Sequence, residues 1–423
     1  MLKKELQISL FITLVILAPL GMQALHTPYP AVTVVPVAEL VGDPMQKLKP
    51  GISASQSYQE IPLDLPFGEK KPNPFPLCPR VHQILFNEKV MVLEEREDEA
   101  RVTIPNLFFV IAGQKTPQYT YWMLKQNLVP LAVLTPDMQN KIPKAISFTD
   151  KKIDNPHTIS LIYPVTDPVT GLTFSAGTRF VYDPLQAAQK DYLAYAYDAR
   201  ARTMQKIELP KKYCMPLAPT NNAQKIKQFV SLLHAWAHLK HGSISYVWGG
   251  RSFATKKNSV LLREINNEQE QYFIPDQHPG PKSGFDCTSL VSTAAQLCEI
   301  PYFFKNSTTV STFLRPLQQG ESLENGDILL TAKPNHVMVV SDIKNNTLIE
   351  ARTLAHGYGK VHEIPIGQEF QNMNTYADLI TAYHLQRPIN RLRKDGSVIA
   401  KIQIKLFKLA SVWEKQPLTK SSE

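Results

Sequence analysis

Cysteine is scarce in this chain, with Cys78, Cys214, Cys287 and Cys298 the four present in 423 residues. That number excludes a disulfide scaffold at this length, and the lack of any C-x-x-C pair argues against a structural thiolate zinc site. Gly-rich phosphate loops and nucleotide motifs are also absent, so no cofactor is expected. No run of Lys and Arg is dense enough for a nucleic-acid arm, although the formal net charge of +9 favours an anionic partner. Past the N-terminus, no apolar stretch is long enough to span a membrane. His234, His238 and His241 recur at i, i+4, i+7 on one helical face, a metal-like spacing. However, no Glu follows His234 as a zinc peptidase requires, and no carboxylate nearby in sequence completes the set. These histidines read as a solvated face, and no metal is expected.

What is present points to several globular domains. The length predicts two to four, and 43% hydrophobic with 20% charged residues supplies ordinary cores. Lys3 and Lys4 precede an apolar run from Ile8 to Leu20, the pattern of a secretory signal over residues 1–24, cleaved after Ala24 or retained as an anchor. The expected location is therefore outside the cytoplasm, in the periplasm or cell-wall space. Residues 25–76 read as a Pro-rich leader or linker. Over 77–135, Val90-Met-Val-Leu93 and Arg101-Val-Thr-Ile104 flank an acidic turn and predict a small β-barrel. A second barrel is expected over 145–218 from Thr158-Ile-Ser-Leu-Ile-Tyr163, Thr178-Arg-Phe-Val-Tyr182 and 192–197. Both resemble bacterial SH3-like domains, the first through Glu88-Lys-Val-Met-Val-Leu93. Cys78 and Cys214 lie in this half, and their pairing is open.

At Asn222 the period changes to helical, with Ile226, Phe229, Val230 and Leu233 on one stripe, and a domain is expected over 222–385. Residues 386–423 form a basic tail carrying Arg391, Arg393, Lys394, Lys401, Lys405 and Lys408. It reads as a last strand or helix on that domain, or as a basic amphipathic helix at a membrane surface.

The chemistry concentrates at three points. Ser283-Gly-Phe-Asp-Cys287 sets Cys287 at the start of a helical run, where unpaired N–H groups and the positive dipole end favour a thiolate. The same amides would receive an oxyanion. Cys298, three turns on, is expected as an inert buried thiol. His336 opens the strand Asn335-His-Val-Met-Val-Val340 after the Gly326-Asp327 turn, a place from which it can act as general base. Glu350, in Leu348-Ile-Glu-Ala351, would orient the ring and support its positive charge.

Taken in order, Tyr246-Val-Trp-Gly-Gly250, Gly284-Phe-Asp-Cys287, Gly326-Asp-Ile-Leu329, His336-Val337 and Ile349-Glu-Ala351 resemble the NlpC/P60 family of papain-like cell-wall peptidases. The resemblance covers about residues 222–385. It implies an α+β fold, a helical lobe bearing Cys287 on an antiparallel sheet bearing His336, preceded by one or two SH3-like barrels. It implies cleavage of the bond between D-γ-glutamate and a diamino acid in peptidoglycan stem peptides; the chain is expected to be a monomer. It also places Asp286 at the substrate amine, and Tyr246, Trp248 and Thr288 along the substrate. Three features depart from the family pattern: Thr288-Ser289 replaces Ser-Gly, Glu350 stands where many members have His, and the 251–283 loop is long. Other readings are a wall-binding protein with a degenerate catalytic domain, an amidase of different bond specificity, and an effector acting on another cell.

Overall fold

The computed structural model describes residues 27–64, 78–105, 119–145, 157–186, 190–215, 221–240, 242–254, 261–264, 271–274, 280–302, 307, 309–310, 314–332 and 335–414. The expected signal segment lies outside them, and no helix among them is long and apolar enough to cross a membrane.

The N-terminal unit is a seven-stranded antiparallel sheet. Its order is Arg80–Leu85, Val37–Val41, Thr120–Leu124, Glu99–Thr103, Lys89–Arg96, Tyr29–Thr33, Leu128–Pro130. Alternation in Lys89–Arg96 sends Val90 and Val92 into a core with Ala31, Leu40, Ile84, Val102 and Tyr121. Each such aliphatic side chain stabilises the unit by about 1.5–3 kcal/mol. Two of the strands come from the segment expected as a leader. Pro30 and Pro36 look like breakers, yet Pro30 faces Met91 on one side while its other neighbour begins only at Ala31. A missing N–H is tolerated at such a position. Two short helices, Met45–Leu48 and Ala54–Gln59, complete this region.

A smaller β unit follows. The long hairpin Asp191–Asp198 with Thr203–Pro210 and the short pairs Thr158–Ser160 with Arg179–Val181 and Val165–Thr166 with Thr173–Phe174 enclose Ile159, Leu161, Phe174, Phe180 and Leu209. Phe86 of the first unit joins that core, its ring 4.9 Å from Phe174. Cys214 is buried here and Cys78 in a different cluster, and all four cysteines are free thiols, so Cys78 and Cys214 do not pair.

The C-terminal unit is built on a sheet ordered Arg315–Pro316, Val398–Lys408, Ile328–Ala332, His336–Asp342, Thr347–Arg352, Lys360–Pro365, with Ile389–Leu392 also paired to Val398–Lys408. The helices Asn222–Ala237 and Cys287–Leu297 cover one face over Val337, Val339, Ile349 and Ala351. Tyr376–His384 covers the other over Met338, Val340 and Leu348. The basic segment after 385 is thus sheet: Ile402, Ile404 and Leu406 point inward while Lys401, Gln403 and Lys405 stay exposed. The strand period, not a surface-helix period, governs that stretch. Within the 251–283 loop, Leu261–Glu264 pairs with Gln271–Ile274 as a hairpin.

Candidate active site

Glycines bring the two upstream motifs together. A Cβ on Gly284 would lie 2.3 Å from the Ser245 carbonyl oxygen, and one on Gly250 would lie 2.6 Å from that of Gly284. Only bare backbone permits this approach. Phe285 N–H then donates to Ser245 at 3.0 Å, Val247 N–H to Phe285 at 3.1 Å, and Asp286 N–H to Gly250 at 3.0 Å. The chain is thereby fixed up to the residue before Cys287.

Asp286 is the N-cap of the helix Cys287–Leu297. Its Oδ1 accepts from Thr288 N–H at 3.0 Å, Ser289 N–H at 2.6 Å and the Thr288 hydroxyl at 2.7 Å. Two expectations change as a result. Thr288 is 3% exposed and turns its hydroxyl inward to the cap rather than outward along a substrate. The Thr288 and Ser289 amides are engaged by Asp286 and are not open to an oxyanion in the way expected. Asp286 therefore has a structural task whatever it does for an amine.

Cys287 is half-buried at the end of this helix, while Cys78, Cys214 and Cys298 are buried. Burial pushes the Cys78 thiol up to about 11 and the Cys214 thiol to about 12, and Cys298 higher still. Those three are inert by environment. The helix packs on the strands His336–Asp342 and Thr347–Arg352. Tyr246 is fully buried within electrostatic reach of Cys287 and Asp286, its phenol pushed well up by burial first. Trp248 is half-buried between the catalytic core and the N-terminal unit, a wall position.

His336, 7% exposed, pairs its Nε2 with Glu350 Oε2 at 2.6 Å. That pairing commits Nε2 to the carboxylate and not to the thiol. Glu350 is wholly enclosed and also accepts from His362 Nε2 at 3.0 Å, Arg391 Nη2 at 3.2 Å and Arg352 Nη1 at 3.4 Å. Burial opposes its charge, but Arg352 and the bonds from His336 and His362 outweigh it and hold the carboxyl well below the usual range. Behind it, buried Glu369 bonds Arg352 and, at 2.5 Å, Arg391 Nε. Burial and the Glu350 charge push Glu369 up to about 7. Burial opposes the Arg391 charge, while Glu369, Glu350 and Cys287 favour it. Arg391 thus links Cys287 electrostatically to the carboxylate that holds His336. Burial first, and Arg391 second, push His336 down to about 4 against the pull of Glu350. At neutral pH the ring is therefore unprotonated.

Sequence reasoning missed Arg352, Glu369 and Arg391. The last lay in a stretch read as a tail, although its alternation was visible. It also missed Asp64, which accepts from the Thr353 hydroxyl and stands within electrostatic reach of Tyr246. The N-terminal unit is seated directly on the glycine motifs. Arg80, ion-paired to Glu39 at 2.5 Å, donates to the Trp248 carbonyl at 3.0 Å, and Gln83 accepts from Arg251 N–H at 2.9 Å and the Ser252 hydroxyl at 2.8 Å.

No family profile and no curated protein matches the sequence. Among solved structures, the chain is similar to an NlpC/P60 family protein from Bacillus cereus, with 14% identity and a TM-score of 0.50 over 82% of this chain and 96% of that one. The fold is thus similar to that of an NlpC/P60 protein. NlpC2 and NlpC1 of Trichomonas vaginalis also align, at 12% and 10% identity with TM-scores of 0.27 and 0.29, over 80% and 89% of this chain and 93% and 92% of theirs.

Proposed function

We propose that this chain is a peptidoglycan hydrolase, a cysteine peptidase that cuts the γ-D-glutamyl–diamino acid bond of wall stem peptides. The observation that carries the reading is the buried His336–Glu350 pair on strands packed against the helix that begins at Cys287. The Cys287 thiol passes its proton to His336 and attacks the carbonyl carbon. The tetrahedral oxyanion meets the Cys287 N–H and the positive helix end. Collapse expels the amine of the diamino acid, which takes the proton from His336, and leaves a thioester on Cys287. Water, deprotonated by His336, then releases the D-glutamyl carboxylate and restores the thiol.

Glu350 supports the transient imidazolium, and Arg391 the thiolate. Tyr246, Trp248 and Asp286 border the nucleophile and are the proposed substrate wall, with Asp286 also fixing the helix. The two N-terminal β units are read as SH3-like modules that narrow the cleft to short, free stems. The basic, apolar N-terminus supports export and work in the periplasm or wall space as a monomer, without nucleic acid.

Purified wall incubated with the wild-type chain or its Cys287→Ala variant, with soluble fragments separated and weighed, tests the proposal. Fragments ending in D-glutamate from the wild type alone are expected. Free lactyl-muramic acid ends would instead assign an amidase, and intact wall bound by both proteins a binding module.

A further inference from the structure

The histidine face on the helix Asn222–Ala237 acquires a carboxylate that its sequence neighbourhood does not supply. His234 Nδ1 lies 3.2 Å, and His238 Nε2 2.6 Å, from Oε2 of Glu363, on the strand Lys360–Pro365. The three donor atoms fall within 4.8 Å of one another. The two rings stand one helical turn apart, nearly parallel at 19°. Glu363 is aimed, since its other oxygen accepts from the Ser341 hydroxyl at 2.6 Å and the Thr347 hydroxyl at 2.5 Å. Outer partners of this kind orient metal-binding carboxylates. Asp342 adds a second negative charge within electrostatic reach of His234.

We propose that His234, His238 and Glu363 form a zinc-binding site, separate from the cysteine centre. Two imidazoles and one carboxylate, without a thiolate, suit Zn²⁺ and its first-row neighbours. Ligands about 2.0–2.1 Å from a tetrahedral zinc sit a little over 3 Å from one another. The His234–Glu363 separation of 3.2 Å already meets that. His238 has to retreat from Glu363 by a fraction of an ångström, and the two ring nitrogens, within 4.8 Å of one another, have to settle to the same spacing; the His238 side chain, 60% exposed, has room to move. The same exposure admits the ion and leaves a fourth position to water. The ion would tie the helix to the strand that also carries His362, whose ring, on the opposite face, bonds Glu350. It is a clamp on the sheet that holds the base, with no part in bond cleavage.

The test uses the untagged full chain with Cys287→Ala, so that the cysteine centre offers no thiolate. Titration with Zn²⁺ by calorimetry and with Co²⁺ by visible absorption is expected to give one ion per chain, with a tetrahedral cobalt spectrum and a higher unfolding temperature. His238→Ala and Glu363→Gln, each checked for folding by circular dichroism without metal, are expected to weaken binding about 10–100-fold and to abolish the thermal shift. Absence of saturable binding below millimolar metal would overturn the proposal, leaving a hydrogen-bonded cluster. So would binding unchanged in the His234→Ala/His238→Ala double variant.

Discussion

Glu350 has room for about four donors on its two oxygens, and the fold delivers four: two imidazoles and two guanidiniums. A buried carboxylate without such partners would be neutral, and a neutral acid could not support an imidazolium. Glu350→Gln keeps the shape and removes the charge. It is expected to lower kcat roughly 10²–10⁴-fold, in the range of lost acid–base and orienting groups, with KM little changed. An unchanged kcat would remove Glu350 from the mechanism. Arg391→Met should act twice, leaving Glu350 and Glu369 short of a partner and Cys287 short of a cation. Its unfolding free energy in denaturant should fall by about 3–5 kcal/mol. The helix start at Cys287 and the pairing of His336 with Glu350 were legible because each residue sits in a local motif. Arg391 and Glu369 were not, because their meaning comes from side chains far away in sequence. Glu363 escaped for the same reason, although the spacing of His234 and His238 was plain.

The elements show why the motifs contain glycine. Gly284 and Gly250 let two backbone segments touch, and that contact sets the start of the helix Cys287–Leu297. Gly284→Ala forces those segments apart and should destabilise the chain by about 1–3 kcal/mol or more, while cutting activity beyond the loss of folded protein. A normal melting curve with full activity would contradict the close-approach argument. At this scale the helices beginning at Asn222 and Cys287 were readable from period and cap. The strands Tyr29–Thr33 and Val37–Val41 were not, because prolines around them mimic a linker and their edge-like tolerance of Pro30 depends on a partner strand. Val398–Lys408 answers to the last-strand reading of the basic tail, through the two-residue alternation of Ile402, Ile404 and Leu406. Ending the chain at residue 385 removes Arg391 and the strand between Arg315–Pro316 and Ile328–Ala332, so such a truncation should yield no cooperatively folded catalytic unit.

For the whole molecule, the buried charges predict an acid-sensitive fold. His336, His356 and His362 are all lowered, His336 to about 4 and His356 to about 3, with burial the largest cause for each. An imidazole lowered in the folded state binds its proton more readily unfolded, so its contribution is complete above the ordinary value of 6.5 and is lost as pH falls below it. For His336 the loss is of order 3 kcal/mol. Glu369, raised to about 7, works in the opposite sense between its ordinary value of 4.5 and 7. Three imidazoles against one carboxylate give a net loss, so the denaturation midpoint should fall between pH 6.5 and 4.5. It should fall more steeply in Glu369→Gln, and a flat profile would contradict this accounting. The seating of the N-terminal unit on the catalytic one rests on Arg80, Gln83 and Arg251, and no single segment announces such contacts in advance.

The most direct measurement gives the wild-type chain and its Cys287→Ala variant the free stem peptide L-Ala-γ-D-Glu-diaminopimelate and weighs the products. The account predicts that the wild type alone releases the L-Ala-D-Glu dipeptide. An intact stem with both proteins, or equal release by both, would contradict a γ-D-glutamyl peptidase whose nucleophile is Cys287.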